Sequence, residues 1–280
     1  MINRYFSKFR QKSQNRLDLK RTGTMTTLDF PLRKKNHEKI SIVTCYDASF
    51  ASLIEGTELD CILIGDSCSM VMHGNPTTLP ADIGMMVTHT KAVRSKTKKF
   101  IVSDMPFLTT RKGLENAVDC AGQLLVAGAN AVKIEGVDGQ EDIISHLVKS
   151  GIPVMSHLGL TPQFYNAFGG HKRQGKTEDS VEKIKREAKM AEELGCFSVV
   201  LECIPQELAE EITQSILIPT IGIGCGNDCD GQVLVLQDLL GMSDFTPKFV
   251  KKYLDGRNLI TVALNEYVRD VKNGVSNESN

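Results

Sequence analysis

A single-domain (β/α)8 TIM barrel is the fold this sequence predicts, on three observations. From Lys39 onward, short runs rich in isoleucine and valine alternate with longer amphipathic or charged stretches, the pattern of repeated βα units. Eight such runs can be picked out along the chain. With 280 residues, 41% of them hydrophobic, and no long polar tract, the chain has a length at which an α/β barrel runs as one domain. A doubly wound sheet alternates in the same way, yet no strand leads into a G-x-G-x-x-G turn followed by a ribose-binding acid. The nearest approach, Gly222-Ile223-Gly224-Cys225-Gly226, comes late, with no clear amphipathic helix behind it.

In order along the chain, residues 1–25 stand apart in composition from the rest of the protein. Arg4, Lys8, Arg10, Lys12, Arg16, Lys20 and Arg21 face a single acid, Asp18, while Ile2, Tyr5, Phe6 and Phe9 fall at helical spacing. The segment reads as a basic N-terminal extension, either disordered or an amphipathic transit segment. The strands are expected at 40–47, 61–67, 100–106, 131–136, 152–159, 198–203, 219–224 and 232–237. Between them the periodicity predicts helices at 49–55, 81–94, 113–127, 140–149, 180–194 and 205–216, with Pro162 and Pro205 placed where a first helical turn tolerates proline. Segments 249–253 and 259–272 are expected as closing helices. The barrel thus spans 26–273, and 274–280 forms a polar tail.

Charge and cysteine usage narrow the function. Lysine and arginine (33) nearly balance aspartate and glutamate (34), which argues against a general nucleic-acid or anionic-membrane surface and leaves small-molecule substrates as the expected partners. No apolar run approaches the roughly 20 residues that span a bilayer. The eight cysteines show neither zinc-ribbon nor disulfide-framework spacing and read as reduced, mostly buried thiols. Cys225 and Cys229 form a C-x-x-x-C pair with no His/Cys cluster to complete a metal site.

In a barrel all strand C-termini meet at one face, so polar residues at those ends converge in space. Here they are Tyr46 and Asp47, Asp66 and Ser67, Asp104, Lys133 and Glu135, His157, and Glu202. The strand starts carry Lys39 and Lys99 and little else of chemical interest. Asp47, just before Ala48-Ser49, suits a helix N-cap and is left outside the site. Lys133 and Glu135 point to one side of their strand, and charges facing a core need a partner or a metal. Asp66, Asp104 and Glu135 make an oxygen-rich set suited to Mg²⁺ rather than Zn²⁺. Lys133 can clamp a substrate carboxylate, form a Schiff base, or simply pair with one of the acids. Glu202 ends an apolar strand, where desolvation favours a general base; a further metal ligand is the alternative. His157 can bond substrate or satisfy a core carbonyl, and the remaining histidines read as surface or packing residues.

These residues carry a resemblance to the ketopantoate hydroxymethyltransferase family. The matching blocks are Thr44-Cys45-Tyr46-Asp47, Gly65-Asp66-Ser67, Thr78-Leu79-Pro80, Asp104-Met105-Pro106-Phe107, Val132-Lys133-Ile134-Glu135-Gly136, His157-Leu158-Gly159-Leu160-Thr161-Pro162-Gln163 and Leu201-Glu202-Cys203-Ile204-Pro205. Gly222–Gly226 and Asp230-Gly231-Gln232 complete the order. The resemblance implies a homo-oligomer, usually a decamer, acting in the cytoplasm, or in mitochondria if the basic segment is a transit peptide. It implies Mg²⁺ and 5,10-methylenetetrahydrofolate, used to convert 3-methyl-2-oxobutanoate into 2-dehydropantoate in pantothenate biosynthesis. On motif match, Asp66, Asp104 and Glu135 fall at the metal positions. Asp66, Ser67, Asp104 and Lys133 fall at the oxo-acid positions, with Tyr46 and His157 beside them, and Glu202 at the proton acceptor. The chain departs from the family pattern at Cys68-Ser69, at the start of the 81–94 helix and at His171.

Overall fold

The computed structural model describes residues 24–275. Eight strands close into a barrel in sequence order, and every neighbouring pair is parallel. They are β1 (Ile40–Thr44), β2 (Cys61–Ile64), β3 (Phe100–Asp104), β4 (Ala131–Glu135), β5 (Val154–Gly159), β6 (Ser198–Glu202), β7 (Thr220–Ile223) and β8 (Gly231–Leu234). The helices are α1 (Asp29–Lys35), α2 (Ala48–Glu55), α3 (Cys68–Val71), α4 (Ile83–Arg94), α5 (Leu114–Val126), α6 (Glu141–Lys149), α7 (Tyr165–Phe168), α8 (Glu178–Glu193), α9 (Gln206–Ser215), α10 (Leu236–Leu239) and α11 (Gly256–Lys272).

The alternation along each strand explains two separate cores. Ile42, Leu63, Val102, Met155, Val200 and Ile221 fill the barrel interior, whereas Ile62, Ile64, Ile101, Val132, Ile134 and Val199 face the helices. Two residues beyond the interior residues, on the same faces, come Asp104 after Val102, His157 after Met155 and Glu202 after Val200. The pleat therefore carries the polar groups onto the C-terminal mouth, directly above an apolar plug.

The expected strands are all present, though most stop short of the turn residues that the apolar pattern runs into: Tyr46, Asp47, Asp66 and Ser67 lie just past the last ladder bonds. The expected 232–237 strand ends at Leu234, with Leu236 and Gln237 opening α10, and the short helices α3, α7 and α10 are additional to the expected elements. Segment 249–253 is not helical; Pro247 accepts from the Val250 N–H in a turn, and Tyr253 donates back to the Leu239 carbonyl. Helix α1 is additional to the expected elements. Its Phe30 is fully buried across the N-terminal end of the barrel, edge-on to Phe197 with centroids 4.8 Å apart and tilted against Phe100 at 5.5 Å. Its local signal is the Thr26/Asp29 pair, in which the Asp29 carboxylate accepts from both the Thr26 N–H and its hydroxyl. Residues 1–23 of the basic extension and 276–280 of the polar tail lie outside the described residues.

Candidate active site

Register sets the site. Asp104 pairs with Lys133 across β3 and β4, Glu135 with His157 across β4 and β5, and Gly159 with Glu202 across β5 and β6. A line of charge thus crosses the mouth. Lys133 Nζ lies 3.2 Å from Asp104 Oδ1, 3.6 Å from Glu135 Oε1 and 3.1 Å from His157 Nδ1. His157 Nδ1 lies 3.4 Å from Glu135 Oε1, and Nε2 lies 3.2 Å from Glu202 Oε2, without the alignment of a full hydrogen bond. Asp104 Oδ2 accepts the Asp66 N–H at 2.9 Å. A Cβ on Gly65 would lie 2.6 Å from Ser67 Oγ, so glycine at this position lets the turn fold tightly over the Ser67 hydroxyl.

Beside Asp66, at the tips of β1 and β2, Tyr46 OH and Ser67 Oγ are 2.8 Å apart. Tyr46 is fixed from behind: His89 Nδ1–H donates to its carbonyl at 2.6 Å, so the facing His89 Nε2 accepts from His73 Nε2 at 2.9 Å when both rings are neutral. Asp47 stays outside the site, its carboxylate capping α2 by accepting the Phe50 N–H. Of the departures from the family pattern, Cys68 is buried against Met86, and Ser69 donates to the Thr77 carbonyl.

One further residue of this cluster, Gln163, enters the sequence reading only as the end of the His157–Gln163 block. Gln163 comes directly after Pro162, which opens a single 3-10 turn after β5. Its Nε2 donates to Asp66 Oδ2 and to the Met105 carbonyl, both at 2.9 Å, and its backbone N–H donates to Glu135 Oε2 at 2.9 Å. A neutral amide in a loop gives nothing periodic to read; only the constellation it joins shows its role.

The electrostatics arise from burial among like charges. Burial, then the charges of Asp104 and Glu135, hold the Asp66 carboxyl well above the usual carboxylate range. Burial also raises Asp104, although Lys133 opposes it. At Glu135 burial is outweighed by Lys133 and His157, and the carboxyl falls below its ordinary value. For Lys133, burial is outweighed by Asp104, Glu135 and Asp66, so the ammonium is held more firmly than usual. His157 is pushed up to about 8, because its contacts with Glu135 and Glu202 overcome burial and the Lys133 charge. Burial raises the Tyr46 phenol, which remains a neutral donor. Glu202 is not sealed in the apolar setting its strand suggests: its side chain is 18% exposed and faces His157.

The residues present fit a hard divalent cation. Asp104 Oδ1 and Glu135 Oε1 are buried without a well-formed hydrogen bond, and three carboxylates converge where two cationic side chains are the available counter-charge. Among the described residues no three His, Cys, Asp or Glu side chains form a ready chelating cluster. Mg²⁺ commonly keeps several waters and takes only one or two carboxylates together with substrate oxygens.

A closed parallel barrel with buried acids, a clamped lysine and a histidine-supported glutamate at its C-terminal mouth defines a (β/α)8-barrel enzyme. Residues 24–276 match the family model described as ketopantoate hydroxymethyltransferase, and the chain belongs to that family. Its similarity to 3-methyl-2-oxobutanoate hydroxymethyltransferases makes it a transferase. That of Francisella tularensis subsp. novicida is 51% identical, covering 88% of this chain and 94% of the relative. The Bdellovibrio bacteriovorus protein is 53% identical over the same shares, and the Coxiella burnetii protein 52% identical, covering 89% and 94%. Among solved structures, a phosphoenolpyruvate phosphomutase from Streptomyces platensis subsp. rosaceus superposes with a TM-score of 0.61 at 12% identity, over 89% of this chain and 88% of that one. A 2,3-dimethylmalate lyase superposes at 0.56 and 14%, over 89% of each. These two share the fold.

Proposed function

We propose that the chain transfers a hydroxymethyl group from 5,10-methylenetetrahydrofolate to 3-methyl-2-oxobutanoate, giving 2-dehydropantoate in pantothenate biosynthesis. Family membership and the names of the relatives support the reaction. The observation that carries the mechanism is the placement of the Glu202 carboxylate, partly open to the mouth, across from the Asp66, Asp104, Lys133 and Glu135 group and joined to it through His157.

Glu202 is the base that removes the C3 proton of the oxo acid, and His157 fixes its Oε2. Lys133 acts as an electrostatic clamp for the substrate carboxylate; its pairing with Asp104 and Glu135 makes a covalent role unnecessary. One proton of the Tyr46 and Ser67 hydroxyls is used between them, and the other donates to a substrate oxygen. Asp66, Asp104 and Glu135 would hold Mg²⁺, with Gln163 orienting Asp66 and Glu135; when bound, the ion supplies positive charge to adjacent ketone and carboxylate oxygens. For the folate, the Phe164 ring beside Gly136 lies under the Arg111 guanidinium at 5.8 Å and stacks on Phe168 at 6.0 Å, a planar and cationic rim suited to a pterin and its glutamate tail.

We further propose a homo-oligomer, of decameric size by family resemblance. The apolar residues of α11 support association: Ile260, Leu264, Tyr267, Val268 and Val271 are 42–60% exposed, and Gly256 is its one buried residue. We place the activity in the cytoplasm. The three relatives are bacterial proteins, which favours the cytoplasm over the mitochondrial alternative.

The test is product formation. Full-length protein with 3-methyl-2-oxobutanoate, Mg²⁺ and methylenetetrahydrofolate should yield 2-dehydropantoate by mass spectrometry, and omission of the folate should abolish it. Cleavage of the oxo acid, or turnover indifferent to folate, would favour a metal-dependent aldolase or lyase on the same barrel.

A further inference from the structure

The hydroxymethyl transfer leaves Cys225 and Cys229 unused. Both side chains are fully buried in the turn between β7 and β8, and their sulphurs are 3.7 Å apart. Cys225 Sγ also reaches the carbonyl of Leu201, the residue before Glu202, at 3.3 Å. The pair is packed against the backbone of β7: a Cβ on Gly222 would lie 2.9 Å from one sulphur and 3.1 Å from the other. Gly222 pairs with Leu201, and Ile223 with Glu202. Two thiols in mutual contact thus lie directly behind the strand tips that carry the base.

The thiols are unequal. The hydrogen bond within the pair, aided by the Thr220 and Thr213 hydroxyls and opposed by burial, lowers the Cys229 thiol. The same bond, with burial, raises Cys225. Burial raises the other six thiols, Cys45, Cys61, Cys68, Cys120, Cys196 and Cys203. Both sulphurs are fully buried, so a small oxidant reaches the pair only through opening of the β7–β8 turn, and there one sulphur already touches the other.

We propose that Cys225 and Cys229 form a dithiol modification site that a hydroperoxide converts to an intramolecular disulfide. The Cys229 thiolate attacks the peroxide, the O–O bond breaks, and the sulphur is oxidised by two electrons to a sulfenic acid as the departing oxygen takes up a proton. The Cys225 sulphur then displaces the sulfenic oxygen, which leaves as water with the Cys225 proton. The sum is dithiol plus hydroperoxide giving disulfide, alcohol or water from the peroxide, and one further water. Closing the bond draws Cys225 Sγ from the Leu201 carbonyl and distorts the turn behind Glu202. This consequence for turnover rests on the reading of Glu202 as base; the cross-link itself does not.

Reduced full-length protein would be treated with hydrogen peroxide, its free thiols alkylated, and its peptides mapped without reduction. The expected result is one chain-internal link, Cys225 to Cys229, with the mass of two hydrogens lost. kcat is expected to fall on the order of 10²-fold, the cost of displacing a catalytic group by about an ångström, and to return with dithiothreitol. C225A and C229A should lose the peroxide response, whereas C203A should keep it. Phenylarsine oxide, which bridges adjacent thiols, supplies a readout that needs no variant: one molecule bound per chain, blocked by prior peroxide. Both thiols alkylated after peroxide, or no arsenical bound, overturns the site. A complete link with undiminished kcat overturns its coupling to Glu202 and leaves product formation as the separate measure of the enzymatic reading.

Discussion

Replacing Lys133 by methionine removes the ammonium that stands among three carboxylates. Lys133 is 4% exposed, with Asp104 Oδ1 at 3.2 Å and Glu135 Oε1 at 3.6 Å, so methionine fills the space but leaves buried negative charge with His157 alone nearby. Breaking a buried pair from one side costs about 3–5 kcal/mol. For a domain of this size each kcal/mol moves the melting temperature by about 2–4 °C, so K133M should melt on the order of 10 °C lower in EDTA. Saturating Mg²⁺ should narrow the gap, because a bound cation replaces part of the missing charge, and should stabilise the variant more than the wild type. Differential scanning calorimetry of both proteins, with EDTA and with Mg²⁺, reads all four values. A K133M protein within about 1 kcal/mol of wild type in EDTA would refute the claim that Lys133 neutralises this cluster.

Other consequences are equally direct. Gly159 has φ +91° and a Cβ there would lie 2.3 Å from the Glu202 carbonyl, so G159A should cost about 1–3 kcal/mol in urea unfolding and lower kcat by moving Glu202, while a melt and turnover equal to wild type would contradict the packing. In metal-free protein, the rise of His157 from 6.5 to about 8 contributes stability that is full below its unfolded value and lost as pH climbs through 8. That change amounts to about 2 kcal/mol, and H157Q should flatten it in urea titrations at about pH 6 and about pH 9. Charging the exposed face of α11 with L264E and Y267E should lower the sedimentation coefficient by splitting the assembly; unchanged sedimentation would mean that this face is not an interface.

Much of the fold is legible because the barrel is built from local repeats. Val102 to Asp104 and Val200 to Glu202 each show an apolar interior residue followed two positions later by a charge, so strand, face and site can be read from one short run. The site residues named from strand ends do converge: Asp66, Asp104, Lys133, Glu135, His157 and Glu202 form one connected group, with Tyr46 and Ser67 beside Asp66 and Asp104. What escapes a reading of the sequence depends on contacts remote along the chain. Phe30 caps the barrel only because Phe100 and Phe197 meet it there, and Gln163 matters only because three strands bring Asp66, Met105 and Glu135 within reach of one amide. The exposure of Glu202 likewise depends on His157 and the open mouth, which its apolar strand could not reveal.

The measurement closest to the central claim is exchange of the C3 proton of 3-methyl-2-oxobutanoate in D₂O with Mg²⁺ and no folate, monitored by NMR for wild type and E202Q. Glu202 as base predicts steady deuterium uptake by the wild type and a rate lower by about 10²–10⁴-fold in the variant, whose amide keeps the shape and cannot accept the proton. Wild-type protein that fails to exchange, or E202Q that exchanges as fast, would contradict it.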